Sequence, residues 1–125
     1  MELTQPPAQG RQVIQSYGDG GFRVAGIRHQ GAVLVFPRRT VAWAVTSAAG
    51  LAIAQLRELA EVPGEVDVLL VGMGTASSVP TPELRVALRE LGISVETMTT
   101  SAACRTFNVL LAEERKVAAA LIPVP

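Results

Sequence analysis

The sequence predicts a single α/β domain in which an N-terminal antiparallel β meander precedes a half built on parallel strands, with about three helices in all. Three observations point there. Between residues 12 and 36, short apolar stretches alternate with glycine-containing turns. Val66-Asp67-Val68-Leu69-Leu70-Val71 is a nearly unbroken apolar strand, as expected where helices cover both faces of a sheet. That strand passes through Gly72-Met73-Gly74-Thr75 into a helix opened by Pro82. At 125 residues the chain has the length of one domain. Residues 12–125 are expected to form it, behind a flexible leader over 1–11 where Pro6, Pro7 and Gly10 leave little to bury.

The elements follow in order. Val13, Gln15 and Tyr17 alternate with Ile14 and Ser16, and Gly18-Asp19-Gly20-Gly21 supplies left-handed conformations for a reversal. Residues 22–27 alternate again, and His29-Gln30-Gly31 reads as the next turn. Ala32-Val33-Leu34-Val35-Phe36 then reads as a buried strand stopped by Pro37. Val41-Ala42-Trp43-Ala44-Val45 is β-branched enough for one more short strand. From 48 to 60, Leu51, Ala52, Gln55, Leu56 and Leu59 fall at helical spacing, and Pro63-Gly64 ends that helix.

In the second half, strand 66–71 leads to a helix with Thr81 as its cap, Leu84, Leu88 and Leu91 facing inward, and Gly92 closing it. Ile93-Ser94-Val95-Glu96 is the next strand, parallel to 66–71 because strand–helix–strand units cross over with one hand. A third helix over 101–114, capped by Thr99 or Thr100, buries Phe107, Leu110 and Leu111. The last strand spans 116–122. The link Glu114-Arg115 is too short for a crossover, so this strand is expected to return at an angle or antiparallel.

Eleven basic and eleven acidic residues give a formal charge of zero, which excludes the field that draws a protein to nucleic acid or anionic lipid. The apolar run 117–122 is far short of the roughly 20 residues that span a bilayer, so no membrane insertion is expected. The first residues match neither a signal peptide nor a transit peptide. With one cysteine, Cys104, no internal disulfide is possible, and the chain reads as cytoplasmic.

No nucleophile, general base or metal cluster is assembled along the chain, and neither cofactor nor metal is expected. Gly72-x-Gly74-x-x-Ser77 has the outline of a dinucleotide fingerprint, but Pro80 and Pro82 delay the helix by about two turns, so its N-terminus is misplaced for a pyrophosphate. Thr75, Ser77, Ser78 and Thr81 place hydroxyls beside a helix start, as turn chemistry or as an anion cradle. Cys104 beside Arg105 in a helix's first turn is either a buried, inert thiol or an activated one. Arg105, Thr106 and Asn108 interrupt an apolar helix, so each must find a partner or reach solvent. They serve either to tie the helix to loop carbonyls or to bind a ligand.

Taken in order, Tyr17-Gly18-x-Gly20-x-Phe22-Arg23-Val24-x-Gly26, Val33-Leu34-Val35-x-Pro37, Trp43, Gly72-Met73-Gly74-Thr75, Pro82 and Val95-Glu96-x-Met98-x-Thr100-x-Ala102-Ala103-Cys104-Arg105-Thr106-Phe107-Asn108-Val109-Leu110 form a recognisable series. Over about residues 12–122 it resembles a domain-of-unknown-function family that includes mitochondrial complex I assembly factor 3 and the adipogenesis-associated domain protein; the chain looks like a stand-alone prokaryotic member. The resemblance implies a three-layer domain with a central mixed β-sheet and an additional β layer. It carries over no catalytic residues. The residues that match its signature, Gly72, Gly74, Thr75, Thr100, Cys104, Arg105 and Asn108, are the candidate ligand-binding set at the edge where strands 66–71 and 93–96 end. Two functions are expected in competition. One is a non-enzymatic protein-interaction or assembly factor with a protein partner, in respiratory complex I biogenesis by resemblance. The other is a binder of a small molecule or anion, or an enzyme, using Gly72–Ser78 and Thr100–Asn108. A flat apolar patch at Phe36 or Trp43 favours the first, and a closed polar pocket at that edge the second.

Overall fold

The computed structural model describes residues 10–125; most of the expected leader lies outside them. Strands β1 (Ile14–Gly18), β2 (Gly21–Val24) and β3 (Ile27–Gln30) form an antiparallel sheet in that order. Both connections are two-residue turns with positive φ throughout: Asp19 at 53° and Gly20 at 76°, then Ala25 at 49° and Gly26 at 83°. Such pairs match the twist of the strands they join. The turn expected at His29-Gln30-Gly31 is thereby corrected, since His29 lies inside β3 opposite Phe22 and the chain reverses earlier, at Ala25-Gly26.

The second sheet has five strands. Its members are β4 (Val33–Val35), β5 (Thr40–Ala42), β6 (Val68–Gly72), β7 (Ser94–Met98) and β8 (Val117–Leu121), in the order β5-β4-β8-β6-β7. β8 pairs antiparallel with β4 but parallel with β6, and β6 pairs parallel with β7. The expected return at an angle or antiparallel therefore holds only against β4, since β8 runs parallel to β6. Its crossover is not the short link at 114–115 but the whole of helix α2 (Thr100–Ala112), which carries the chain back along the sheet before β8 begins. Glu114, at φ 61°, closes α2: its N–H donates to Leu111 O, and the Arg115 N–H donates to Leu110 O.

Helix α1 (Pro82–Glu90) joins β6 to β7. The chain moves outward from β6 to β7 and then back past β6 to β8, so a constant crossover hand puts α1 and α2 on opposite faces. Leu84 and Leu88 of α1 pack with Leu69, Val71 and Val95 on one face. Cys104, Phe107 and Leu111 of α2, together with Ile14, Phe22 and Val24 of the meander, pack with Leu70, Val117, Ala119 and Leu121 on the other. The result is a three-layer domain with a central mixed sheet. β8, Val-Ala-Ala-Ala-Leu, is buried at every position, and its small residues let both outer layers approach.

Three smaller departures have physical causes. The helix expected over 48–60 is a 3-10 helix at Ile53–Leu59. Gly50 is left-handed at φ 67°, and the buried Trp43 takes the Gln55 carbonyl through its Nε1–H at 2.7 Å, a carbonyl that α-helical pairing would need. Leu91, expected inward, is 38% exposed because α1 ends before it. The strand expected at 41–45 is centred earlier, leaving Trp43 to fill the core beyond it. No helix among the described residues is long and apolar enough to cross a membrane.

Candidate functional site

The glycine turn sits where β6 ends and α2 begins. A side chain at Gly72 would put its Cβ 2.9 Å from Thr100 Cα and 2.9 Å from Leu121 Cδ2, so only glycine lets the first turn of α2 lie this close to β6. Gly74 is left-handed at φ 88°. Its N–H donates to Thr100 Oγ1 at 2.8 Å, and its carbonyl accepts from the Thr100 N–H at 2.9 Å. The Thr100 hydroxyl in turn donates to the Ile122 carbonyl at 2.6 Å. Thr99, rather than Thr100, is the helix cap, accepting from the Ala102 N–H at 3.4 Å, which leaves the Thr100 hydroxyl for this clasp. The clasp is wholly buried and ties the carboxyl ends of β6 and β8 to the start of α2.

The other candidates lie elsewhere. Thr75 is exposed in the loop after the turn. Cys104, one turn along α2, has no exposed surface, and burial pushes its thiol up to about 12, with the Arg105 charge opposing only in part. Arg105 is exposed and donates to the Tyr17 hydroxyl at 3.4 Å. Asn108 reaches the meander: its Nδ2 donates to Ile14 O at 2.9 Å, and its Oδ1 accepts from the Ile14 N–H at 2.9 Å. Gly72, Gly74 and Thr100 thus meet in one clasp, Arg105 and Asn108 meet β1 along a separate seam, and Cys104 is in the core between.

Two expected results arise here. Asn108→Ala is expected to lower unfolding free energy by about 2 kcal/mol, because it orphans both main-chain groups of Ile14. Asn108→Asp places an oxygen against the Ile14 carbonyl and is expected to rescue little; urea unfolding checks both. For Cys104 the folded thiol stays neutral up to about 12 whereas an unfolded one ionises near 9.0. Its contribution is complete below the unfolded value and is lost as pH rises from there towards the folded one. The stability difference between the wild type and Cys104→Ala is expected to shrink over that range. Labelling of Cys104 at neutral pH is expected to need denaturant.

Beside the turn, a cleft of about 310 Å³ opens between Thr46, Ser47, Met73, Ser77, Ser78 and Ile122. Met73 is half-buried, and its sulfur accepts from the Ser78 N–H at 3.4 Å, holding the loop against the core. Thr46 and Ser47 entered no sequence expectation, because nothing local marks a pair of hydroxyls that only the fold brings to Met73. Arg85 and Arg89 were also missed, although their i, i+4 spacing on α1 was a local signal that could have found them. Phe36 and Trp43 are 2% and 5% exposed, so neither offers an apolar patch. Among the described residues no group of three His, Cys, Asp or Glu side chains is placed to hold a metal.

Residues 14–122 match the family model described as a protein of unknown function, DUF498/DUF598. An uncharacterised protein of Rhodobacter capsulatus is 40% identical over 125 residues, covering 100% of this chain and 95% of that protein. NADH dehydrogenase [ubiquinone] 1 alpha subcomplex assembly factor 3 of Danio rerio is 34% identical over 100% of this chain and 72% of its own length. The Homo sapiens protein of the same name is 32% identical, with 100% and 68% covered. Among solved structures, a Bartonella henselae protein described as an outer membrane protein superposes with a TM-score of 0.83 at 43% identity, covering 93% of this chain and 98% of that one. A Bordetella pertussis protein described as a Mth938-like domain gives 0.82 at 33%, with 98% and 92% covered. With matches along nearly its whole length to the family model and to these relatives, the chain belongs to the DUF498/DUF598 family of proteins of unknown function.

Proposed function

We propose that this chain is a non-enzymatic assembly factor that acts by binding a protein partner, in the biogenesis of a respiratory NADH:ubiquinone oxidoreductase. The observation that carries this reading is the similarity, along all 125 residues, to relatives named as assembly factors of NADH dehydrogenase [ubiquinone]. The chemistry of the signature residues supports it. Gly74 and Thr100 direct their polar groups at each other and at Ile122, Gly72 packs against Thr100 with its carbonyl taken by the Ile122 N–H, and the thiol of Cys104 is buried and held neutral, so these residues build the fold and leave recognition to the surface. Affinity capture of the tagged chain from its own cells after brief crosslinking tests the reading. Subunits of the NADH dehydrogenase are expected among the captured proteins well above a control of equal size; a capture identical to the control would overturn it.

The rival reading, a small-molecule or anion binder at the edge formed by Gly72–Ser78 and Thr100–Asn108, draws on the cleft of about 310 Å³ beside Met73, which Met73, Ser77 and Ser78 line and Thr100–Asn108 do not. Its hydroxyls suit a polar ligand that offers hydrogen-bond acceptors. Melting-temperature shifts with inorganic phosphate and with nucleotides, absent in Ser77→Ala/Ser78→Ala, would favour it over the first reading.

A further inference from the structure

We propose that the outer edge of β7, together with the facing wall of α1, is a docking groove for an extended, acidic segment of a partner protein, which adds to the central sheet as a sixth strand. This deepens the assembly-factor reading and rests on it. β7 is the last strand of the sheet and has five residues, whereas β5 at the opposite edge has three and follows Pro37 closely. On β7 the Ser94 N–H donates to Asp67 O at 2.9 Å, and the Met98 carbonyl accepts from the Met73 N–H at 2.9 Å, both toward β6. In a parallel ladder the main-chain groups alternate in direction, so those of Val95 and Thr97 point away from β6, toward the open edge. This is a template for strand addition.

The groove beside it gives the occupant its chemistry. A cleft of about 370 Å³ lies between Ser94 and Val95 of β7 and the exposed Arg85 and Arg89 of α1, with Ile93 among its lining residues. The two guanidiniums sit one turn apart on the same helix face, and Asp67 is the acid that shares the cleft with them. Val95 packs with Leu84 and Leu88 of α1, so Glu96 faces the other side of the sheet. A strand laid on β7 therefore meets two cations against the single carboxylate of Asp67 on the α1 side, a net positive wall, and the carboxylate of Glu96 on the other. The matching segment alternates, with Asp or Glu toward Arg85 and Arg89 and a neutral or basic residue toward Glu96. Two copies of β7 paired antiparallel about Glu96 would oppose that carboxylate to itself, which disfavours this chain as its own occupant.

Selection of short peptides from a random display library against the full chain, followed by amide chemical-shift mapping of the winners, tests the groove. The expected winners carry acidic residues at alternate positions, move the Val95 and Thr97 amide resonances most, and lose binding roughly tenfold or more on Arg85→Glu/Arg89→Glu. Both arginines are exposed, so that variant is expected to melt with the wild type; Arg85→Ala/Arg89→Ala is the milder control, with an intermediate loss. Peptides that shift other amides and ignore the charge reversal would overturn the groove while leaving the assembly-factor reading standing. No enriched peptide would also overturn it, and the capture experiment then judges the broader reading separately. β7 resonances that move with protein concentration alone would assign the edge to a second copy and likewise contradict the proposal.

Discussion

Thr100→Val is expected to lower the melting temperature by about 10 °C, although it exchanges one methyl-sized group for another. The hydroxyl is the acceptor for the Gly74 N–H and the donor to the Ile122 carbonyl, and the site is fully buried. Valine keeps the shape and orphans both groups, at about 3 kcal/mol together, which for a domain of this size is the stated shift. Thr100→Ser retains both bonds and gives up one methyl, so it is expected to lose only about 1 kcal/mol. Thermal and urea unfolding of the two variants separate the hydrogen bonds from the packing. A Thr100→Val protein melting with the wild type would mean that the clasp does not hold β6, β8 and α2 together.

Gly72→Ala is expected to cost about 3 kcal/mol, near the upper end for overpacking, since its Cβ lands 2.9 Å from Thr100 Cα, a main-chain atom that cannot turn aside. Relief requires α2 to move off β6, which stretches the bonds between Gly74 and Thr100. The two substitutions are therefore coupled. In Gly72→Ala/Thr100→Val the loss is expected to fall short of the sum of the singles, because the bonds broken by the shift are already weakened. Gly74→Ala serves as the contrast. A Cβ there has room, with Ile122 Cγ2 3.9 Å away, but φ of 88° strains any L side chain, so about 1–2 kcal/mol is expected from conformation alone.

These couplings explain why a glycine turn that looks like a ligand loop reads so clearly in the sequence. The spacing Gly72-x-Gly74 answers two separate demands, close approach at the first glycine and a left-handed residue at the second. β6, α1 and α2 were legible because their signals are local. Pro82 at the first helical position and Thr81, which accepts from the Leu84 N–H at 3.1 Å, fix the start of α1, and Thr99 does the same for α2. Asn108 was legible as a polar residue needing a partner, but its partner, Ile14, is 94 residues away, a distance that no spacing encodes.

The departures share a cause. At the second hairpin turn and at the end of α2, residues of low left-handed propensity, Ala25 and Glu114, occupy positive φ because tertiary pairing holds them there. Ala25 donates its N–H to Val13 O, and the Gly26 N–H is taken by Gln15 Oε1, so β1 sets a turn that the local residues do not announce. The direction of β8 was hidden in the same way. Its neighbours, β4 and β6, are far apart in sequence, and only the return of α2 across the sheet decides that β8 slots between them. The candidate residues that match the family signature were likewise divided by the fold between the clasp, the exposed loop after it, the core and the β1 seam.

The proposed role of this domain, assembly of a respiratory NADH dehydrogenase through a bound partner, has a direct consequence in the host cell. Membranes from cells lacking the chain, resolved on a native gel and stained for NADH dehydrogenase activity, are expected to show less of the complete complex and an accumulation of partial ones. Restoring the wild-type chain is expected to reverse this, and Arg85→Glu/Arg89→Glu to leave the defect in place. A complete complex at its normal level without the chain would contradict the account.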